Sequence, residues 1–213
     1  VGVEARLWFR RLQLERAASA LRRNGFSAYV VSSADEARSV ALSLVPSGST
    51  VGVGGSVTVR ELGLIEELER KGCRVVHHWV QAPPEELDAL RRAELASDVF
   101  LSSVNAVTLD GKLVVLDGVG NRAAALLFGP KRVVVVAGRN KLARSVEEGV
   151  WRARNVAAVM NCRRLGLRTP CVELGYCVDC DSPERACRGL LVLERKPSRA
   201  DFHVVLVDEE LGY

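Results

Sequence analysis

The chain reads as an α/β domain in which a mainly parallel sheet carries helices on both faces, with one cysteine-rich loop segment added. Three observations predict this. Short apolar runs alternate with longer amphipathic segments along nearly all of the 213 residues, and such alternation calls for crossover connections and parallel strands. The most apolar run, Arg132 to Ala137, shows no polar alternation, as expected of a strand covered on both faces. No internal repeat or low-complexity linker divides the chain, so residues 1–213 form one domain, and residues 168–188 are a cysteine-rich insertion within it.

The elements follow in order. Glu4 to Asn24 places Leu7, Leu14, Ala18 and Leu21 on one helical face, and Asn24-Gly25 is a helix stop. Ser27 to Ser32 is a short strand and Asp35 to Val45 a second helix, closed by the turn Pro46-Ser47-Gly48. Thr50 to Val53 is a strand, Val59 to Lys71 a helix, and Arg74 to His77 a strand. Pro83-Pro84 opens a helix from Glu85 to Ala96, where a missing N–H is harmless in the first turn. Asp98 to Ser102 is a strand.

Asp110-Gly111 lies between the apolar runs Ala106–Leu109 and Lys112–Leu116, which predicts a hairpin with a type I′ turn. A helix from Ala123 to Phe128 stops at Gly129-Pro130, ahead of the Arg132–Ala137 strand. A long helix starts at Asn140 or Ser145 and reaches Leu165. Leu190 to Glu194 and Phe202 to Val207 are read as two closing strands.

Composition removes several functions from consideration. A content of 48% hydrophobic and 26% charged residues is that of a globular chain, not a disordered one. The formal charge of +4 is small, and the paired arginines lack interleaved aromatics to stack on bases, so nucleic acid is not the expected partner. No apolar run approaches the roughly 20 residues of a membrane-spanning helix. The arginine-dense stretch Val1 to Ala20 does not resemble a secretory signal, so a cytoplasmic location is expected. Arginine outnumbers lysine and Met occurs once, which suits a thermophile or a GC-rich genome.

Two glycine loops carry the functional expectation. Val51-Gly52-Val53-Gly54-Gly55-Ser56-Val57-Thr58 runs from a strand into a helix, and Thr58 with Glu61 has the form of a capping box. Glycines ahead of a helix let backbone N–H groups converge on an anion. Gly54, Gly55, Ser56 and Thr58 are the expected donors to a phosphate or carboxylate; a tight strand-to-helix turn is the alternative. The loop lacks the Gly-Lys-Ser/Thr of a P-loop, and Val57 stands where a dinucleotide fingerprint has its third glycine.

The second loop is Asp117-Gly118-Val119-Gly120-Asn121-Arg122. Gly118 and Gly120 leave room for close approach of a ligand, and Asn121 offers hydrogen bonds. Asp117 is a candidate base and Arg122 a carboxylate clamp, the two expected catalytic residues. Asn105 is expected to face the same cleft. A helix cap with a surface arginine is the alternative.

Together these segments resemble the lactate-utilisation (LUD) family. The resemblance is carried by Val51–Thr58 with Glu61-Leu62-Gly63, by Asp98–Thr108 and Asp117–Arg122, and by Val133–Gly138. The Arg154-Asn155 and Met160-Asn161 region and the closing Glu210–Tyr213 complete it. The resemblance implies the fold of phosphosugar isomerases and coenzyme A transferases, with ligands over glycine-rich loops at the ends of parallel strands. It also implies a link to lactate oxidation beside iron–sulfur and oxidoreductase partner proteins. A transferase or isomerase activity, or a non-enzymatic electron-transfer subunit, are the alternatives within it.

Of six cysteines, Cys73 and Cys162 are isolated and read as small buried residues. Cys171, Cys177, Cys180 and Cys187 cluster, with a two-residue gap between the central pair. Four thiolates could hold zinc or a four-iron cluster; disulfides and free thiols are the alternatives. The link to electron-transfer partners favours iron–sulfur. His77-His78-Trp79 follows a strand end, where a ligand or proton carrier could sit, while His203 reads as structural.

Overall fold

The computed structural model describes residues 2–213. Helix α1 (Gly2–Arg23) buries Leu14, Ala17, Ala18 and Leu21, as the helical spacing predicts. Leu7 of the predicted stripe is exposed, along with every residue from Gly2 to Leu12. Strand β1 (Ser27–Val31) follows, then α2 (Ala34–Ser43), whose start is capped by the Ser33 hydroxyl accepting from the Glu36 N–H. Strand β2 (Thr50–Val53), helices α3 (Val57–Glu61) and α4 (Leu64–Arg70), and strand β3 (Arg74–His77) come next. Helix α5 (Pro84–Leu95) leads into β4 (Val99–Ser102).

The second half begins with β5 (Ala106–Thr108), β6 (Leu113–Asp117) and α6 (Asn121–Leu127). Strand β7 (Arg132–Gly138) runs through a short 3₁₀ turn, Arg139–Lys141, into β8 (Leu142–Ala143). Helix α7 (Val146–Arg152), a π-helical turn at Ala153–Ala157 and α8 (Ala158–Arg164) form one continuous rod. A short α9 (Pro170–Leu174), β9 (Gly189–Leu193) and β10 (Asp201–Val207) close the chain.

Six strands pair in the order β1-β10-β7-β4-β2-β3, all parallel. Alternate residues of β7 explain its unbroken apolar run. Val133, Val135 and Ala137 enter one core with α1 and α6. Val134 and Val136 enter the other with α2, α3 and α4. Both faces are covered, as the sequence predicts for a parallel sheet.

Two local expectations are corrected, the hairpin turn and the Val59–Lys71 helix, and two open points are filled in. The closing strands do not stay together: β10 lies in the middle of the large sheet, whereas β9 joins β8, β5 and β6 in a separate four-stranded sheet. The hairpin turn is not type I′, because Gly111 has a φ of 83° while Asp110 keeps a negative φ. The Gly111 N–H donates to the Thr108 carbonyl, and a bulge forms instead. The Asn24 amide bonds both the Asp110 and Gly111 carbonyls and fixes this form.

The predicted Val59–Lys71 helix breaks at Gly63, whose φ of 60° cannot continue an α-helix. Arg38 Nε donates to the Leu62 carbonyl freed there. The long rod starts at Ser145, not Asn140, because the Ser145 hydroxyl accepts from the Glu148 N–H.

Candidate functional site

A cavity of about 700 Å³ opens at the carboxyl ends of the parallel strands. The loops after β2, β3, β4 and β7 supply Ser56, His78, Ser103 and Lys141 to one side of it. The second glycine loop, the α8 rod and residues 183–188 of the insertion supply the other. Ligands of open α/β sheets bind at this end. Seven cationic side chains and two carboxylates line the cavity, so its field favours an anion.

The first loop is tightly built. A Cβ on Gly52 would come within 2.5 Å of the Glu94 carbonyl oxygen, and one on Gly54 within 2.6 Å of Phe100 Cζ. Gly54 therefore belongs to the wall: its N–H donates to the Leu101 carbonyl, and it does not line the cavity. Gly55, Ser56 and Thr58 do line it. The Ser56 hydroxyl is the true helix cap, accepting from the Val59 N–H at 3.2 Å. Thr58 and Glu61 form no capping box, since Thr58 donates to the Leu211 carbonyl and Glu61 accepts from the Gly212 N–H. With only five residues, α3 has little dipole to offer an anion.

In the second loop, Asp117 uses both carboxylate oxygens on backbone, accepting from the Gly118 N–H at 2.8 Å and the Ala123 N–H at 2.9 Å. Its place is that of a clasp across the start of α6. Gly118 lies against the Ala186 carbonyl, 2.7 Å from where its Cβ would stand, and the Arg188 N–H donates to the Asp117 carbonyl. The insertion is thereby latched to the loop. Gly120 has a φ of 95° and lies outside the cavity lining.

Arg122 enters the cavity, and among the described residues it makes no ion pair at salt-bridge distance. It donates to the Asn105 amide oxygen at 3.1 Å and to the Leu116 carbonyl at 2.8 Å. Its Nε is shielded from solvent and has no protein partner. Burial pulls its pKa down, and nearby Asp117 opposes that. Asn105 thus holds Arg122 in place, while accepting from the Leu116 N–H as well.

Two groups had no marked signal in the sequence. Lys141, 2% exposed, donates to Thr58 Oγ1 at 2.8 Å and to Ser103 Oγ at 2.9 Å. Burial, then the charges of Arg152 and Arg122, lower its pKa to about 7. Glu94, 1% exposed, accepts from His78 Nδ1 at 2.6 Å and from the His78 backbone N–H at 3.1 Å. Asn121 donates to its other oxygen at 3.2 Å. A carboxylate only accepts, so the His78 proton sits on Nδ1 and Nε2 is left to face the first loop beside Gly55. A carboxylate orienting an imidazole in a cleft is the arrangement of a proton carrier.

At the mouth, Arg60 and Arg164 stack over Trp79 with their guanidinium carbons 4.5 and 4.9 Å from a ring centroid. Arg164 Nε also donates to the Tyr213 hydroxyl at 2.6 Å. The π-helical turn brings Ala157, Ala158 and Asn161 to the same rim. His203 lies away from the cavity, bonded to Tyr29 and Asp201.

The cysteines do not assemble as a ligand set. All are free thiols, and among the described residues no three His, Cys, Asp or Glu side chains gather where a metal would sit. Cys187 lines the cavity; Cys171, Cys177 and Cys180 do not. Cys162 is buried and close to Cys171, and both burial and that neighbour raise its pKa. Among the described residues, no three of the clustered thiols converge on one point. Ion pairs from Arg168 to Glu184 and from Arg185 to Asp179 hold the segment.

The molecule is an α/β protein with a cation-lined cavity at the carboxyl ends of its parallel strands. Its sequence matches the LUD domain over residues 14–207, and the chain belongs to the LUD-domain family. That family is tied broadly to lactate utilisation. A similar fold is seen in the crystal structure of a DUF162 family protein from Deinococcus radiodurans, with a TM-score of 0.54 and 17% identity. The match covers 93% of this chain and 97% of the other. No curated protein matches in sequence. Among the described residues, no helix is long and apolar enough to cross a membrane.

Proposed function

We propose that the chain is a component of lactate or related 2-hydroxy acid utilisation that binds a small anionic metabolite between the two glycine loops. The observation that carries this reading is Arg122, a shielded guanidinium with an unused Nε and no carboxylate among its hydrogen-bond partners. A metabolite carboxylate is the natural partner for such a fork. The cationic lining favours the same class of ligand, and the cavity falls within the roughly 300–1,000 Å³ of small-molecule sites. Ser56 adds a hydroxyl on one side, and Asn121 and the Gly118 backbone bound the other. Oxidation of the bound acid falls to an oxidoreductase partner protein, with this chain presenting the metabolite.

One observation favours a second reading. The Glu94–His78 pair is built like an acid–base dyad, which suits an isomerase or transferase acting in the same cleft. Assays with phosphosugars and acyl-coenzyme A esters separate the readings, since only the second expects turnover.

The binding test is calorimetric titration with L-lactate, D-lactate and pyruvate. The expected result is saturable binding of at least one acid. Arg122→Lys should weaken it about tenfold to a hundredfold, because the bidentate fork is lost while a charge remains. Equal affinity in the variant, with thermal unfolding unchanged, contradicts the assignment of Arg122.

A further inference from the structure

We propose that Lys141 is a nucleophilic amine that forms a reversible imine with a 2-oxo acid whose carboxylate rests on Arg122. The inference rests on the metabolite reading of the cleft given above and adds a covalent step to it.

A lysine buried as deeply as Lys141 is normally paired with a carboxylate. Lys141 is not: its hydrogen bonds go to two hydroxyls, on Thr58 and Ser103. The charges acting most strongly on it are the guanidinium groups of Arg152 and Arg122, with Glu61 opposing more weakly. A desolvated amine beside other cations is the setting in which lysine becomes a nucleophile. Its pKa near 7 leaves a large share of the amine uncharged at neutral pH.

Position supports the same role. Ser103 and Asn105 stand two residues apart on one loop; the first holds Lys141 and the second holds Arg122. Both cationic side chains line the one cavity. A 2-oxo acid bound through its carboxylate on Arg122 would share that cavity with the amine. Lys71, Lys112, Lys131 and Lys196 do not line the cavity.

The step balances without an oxidant. The Lys141 nitrogen lone pair forms a bond to the carbonyl carbon, and the C=O π electrons move to oxygen, which takes up a proton. The resulting carbinolamine loses that oxygen as water, carrying away the two hydrogens of the amine. The Ser103 hydroxyl, 2.9 Å from Nζ, is placed to pass those protons. A 2-hydroxy acid has no electrophilic carbonyl, so it binds without reacting.

The test is reductive trapping. The full chain is incubated with pyruvate and sodium cyanoborohydride, then digested and mapped by mass spectrometry, while calorimetry measures pyruvate binding in the same buffer. The expected result is a carboxyethyl adduct on Lys141 well above that on the other lysines, suppressed by excess lactate. Heat-unfolded protein should show no preference for Lys141. Lys141→Arg, shown to be folded by its thermal unfolding, should lose the preferred adduct, and an adduct pattern unchanged from wild type overturns the assignment. Binding with no excess of adduct at Lys141 overturns the imine and leaves the metabolite reading standing. Absence of pyruvate binding overturns the imine, and absence of lactate binding as well overturns both.

Discussion

The two glycine loops look alike in the sequence and do different physical work. In Val51–Thr58 the glycines answer to close packing: at Gly52 and Gly54 a side chain would collide with the Glu94 backbone and the Phe100 ring. In Asp117–Arg122 one glycine answers to the insertion, through the Ala186 carbonyl, and the other to a positive φ with open space around it. The first loop is a wall built into the sheet and α5. The second is a clasp whose position depends on Asp117 and on residues 186–188. What the difference teaches is that glycine content marks a strand-end loop but does not say which of its atoms face a ligand.

The largest expected effect that breaks the comparison is at Gly52. Gly52→Ala places a methyl group against backbone that cannot step aside, and should cost about 3 kcal/mol or more in denaturant unfolding. Lys141, at the floor beside Thr58, gives the next. Its pKa is about 7 in the fold against 10.5 for an ordinary lysine. Between these values the unfolded chain binds the extra proton, so wild-type stability rises with pH across that window, while below pH 7 the cost of burying the charge is constant. Lys141→Met removes this dependence. The stability of wild type relative to that variant should therefore grow by about 2 kcal/mol from pH 7 to 9. A gap that is flat with pH, or that shrinks, contradicts a neutralised buried amine.

The second loop should respond more mildly. Gly118→Ala presses on the Ala186 carbonyl and should cost about 1–2 kcal/mol, loosening the insertion and weakening metabolite binding with it. Gly120→Ala meets only backbone strain, about 1 kcal/mol. Equal losses at Gly52 and Gly120 would erase the distinction between wall and clasp.

Much of the fold was readable because two-sided burial writes itself as unbroken apolar runs: Val133 to Ala137 could hardly be anything but a central strand. The second sheet was not readable, since β8 has two residues and β5 three, and their pairing is decided by neighbours distant in sequence. The bulged hairpin depended on Asn24, a residue 86 and 87 positions away from the two carbonyls that it holds. In the site, Arg122 and Asn121 announced themselves by standing near glycines, and Asn105 by standing just before the hairpin. Lys141 gave only the faint signal of following the most apolar strand, and Glu94 gave none, being one charge among many on α5. The spacing of Cys177 and Cys180 suits a metal site, but it does not reveal the ion pairs of Arg168 and Arg185 that also tie this segment together.

The most direct test of the central claim is a crystal structure of the protein grown with pyruvate or lactate. The account predicts a carboxylate on the Arg122 guanidinium, inside the cavity between Ser56 and Asn121. A well-ordered acid bound elsewhere, with Arg122 still turned to Asn105 and Leu116 alone, would contradict it.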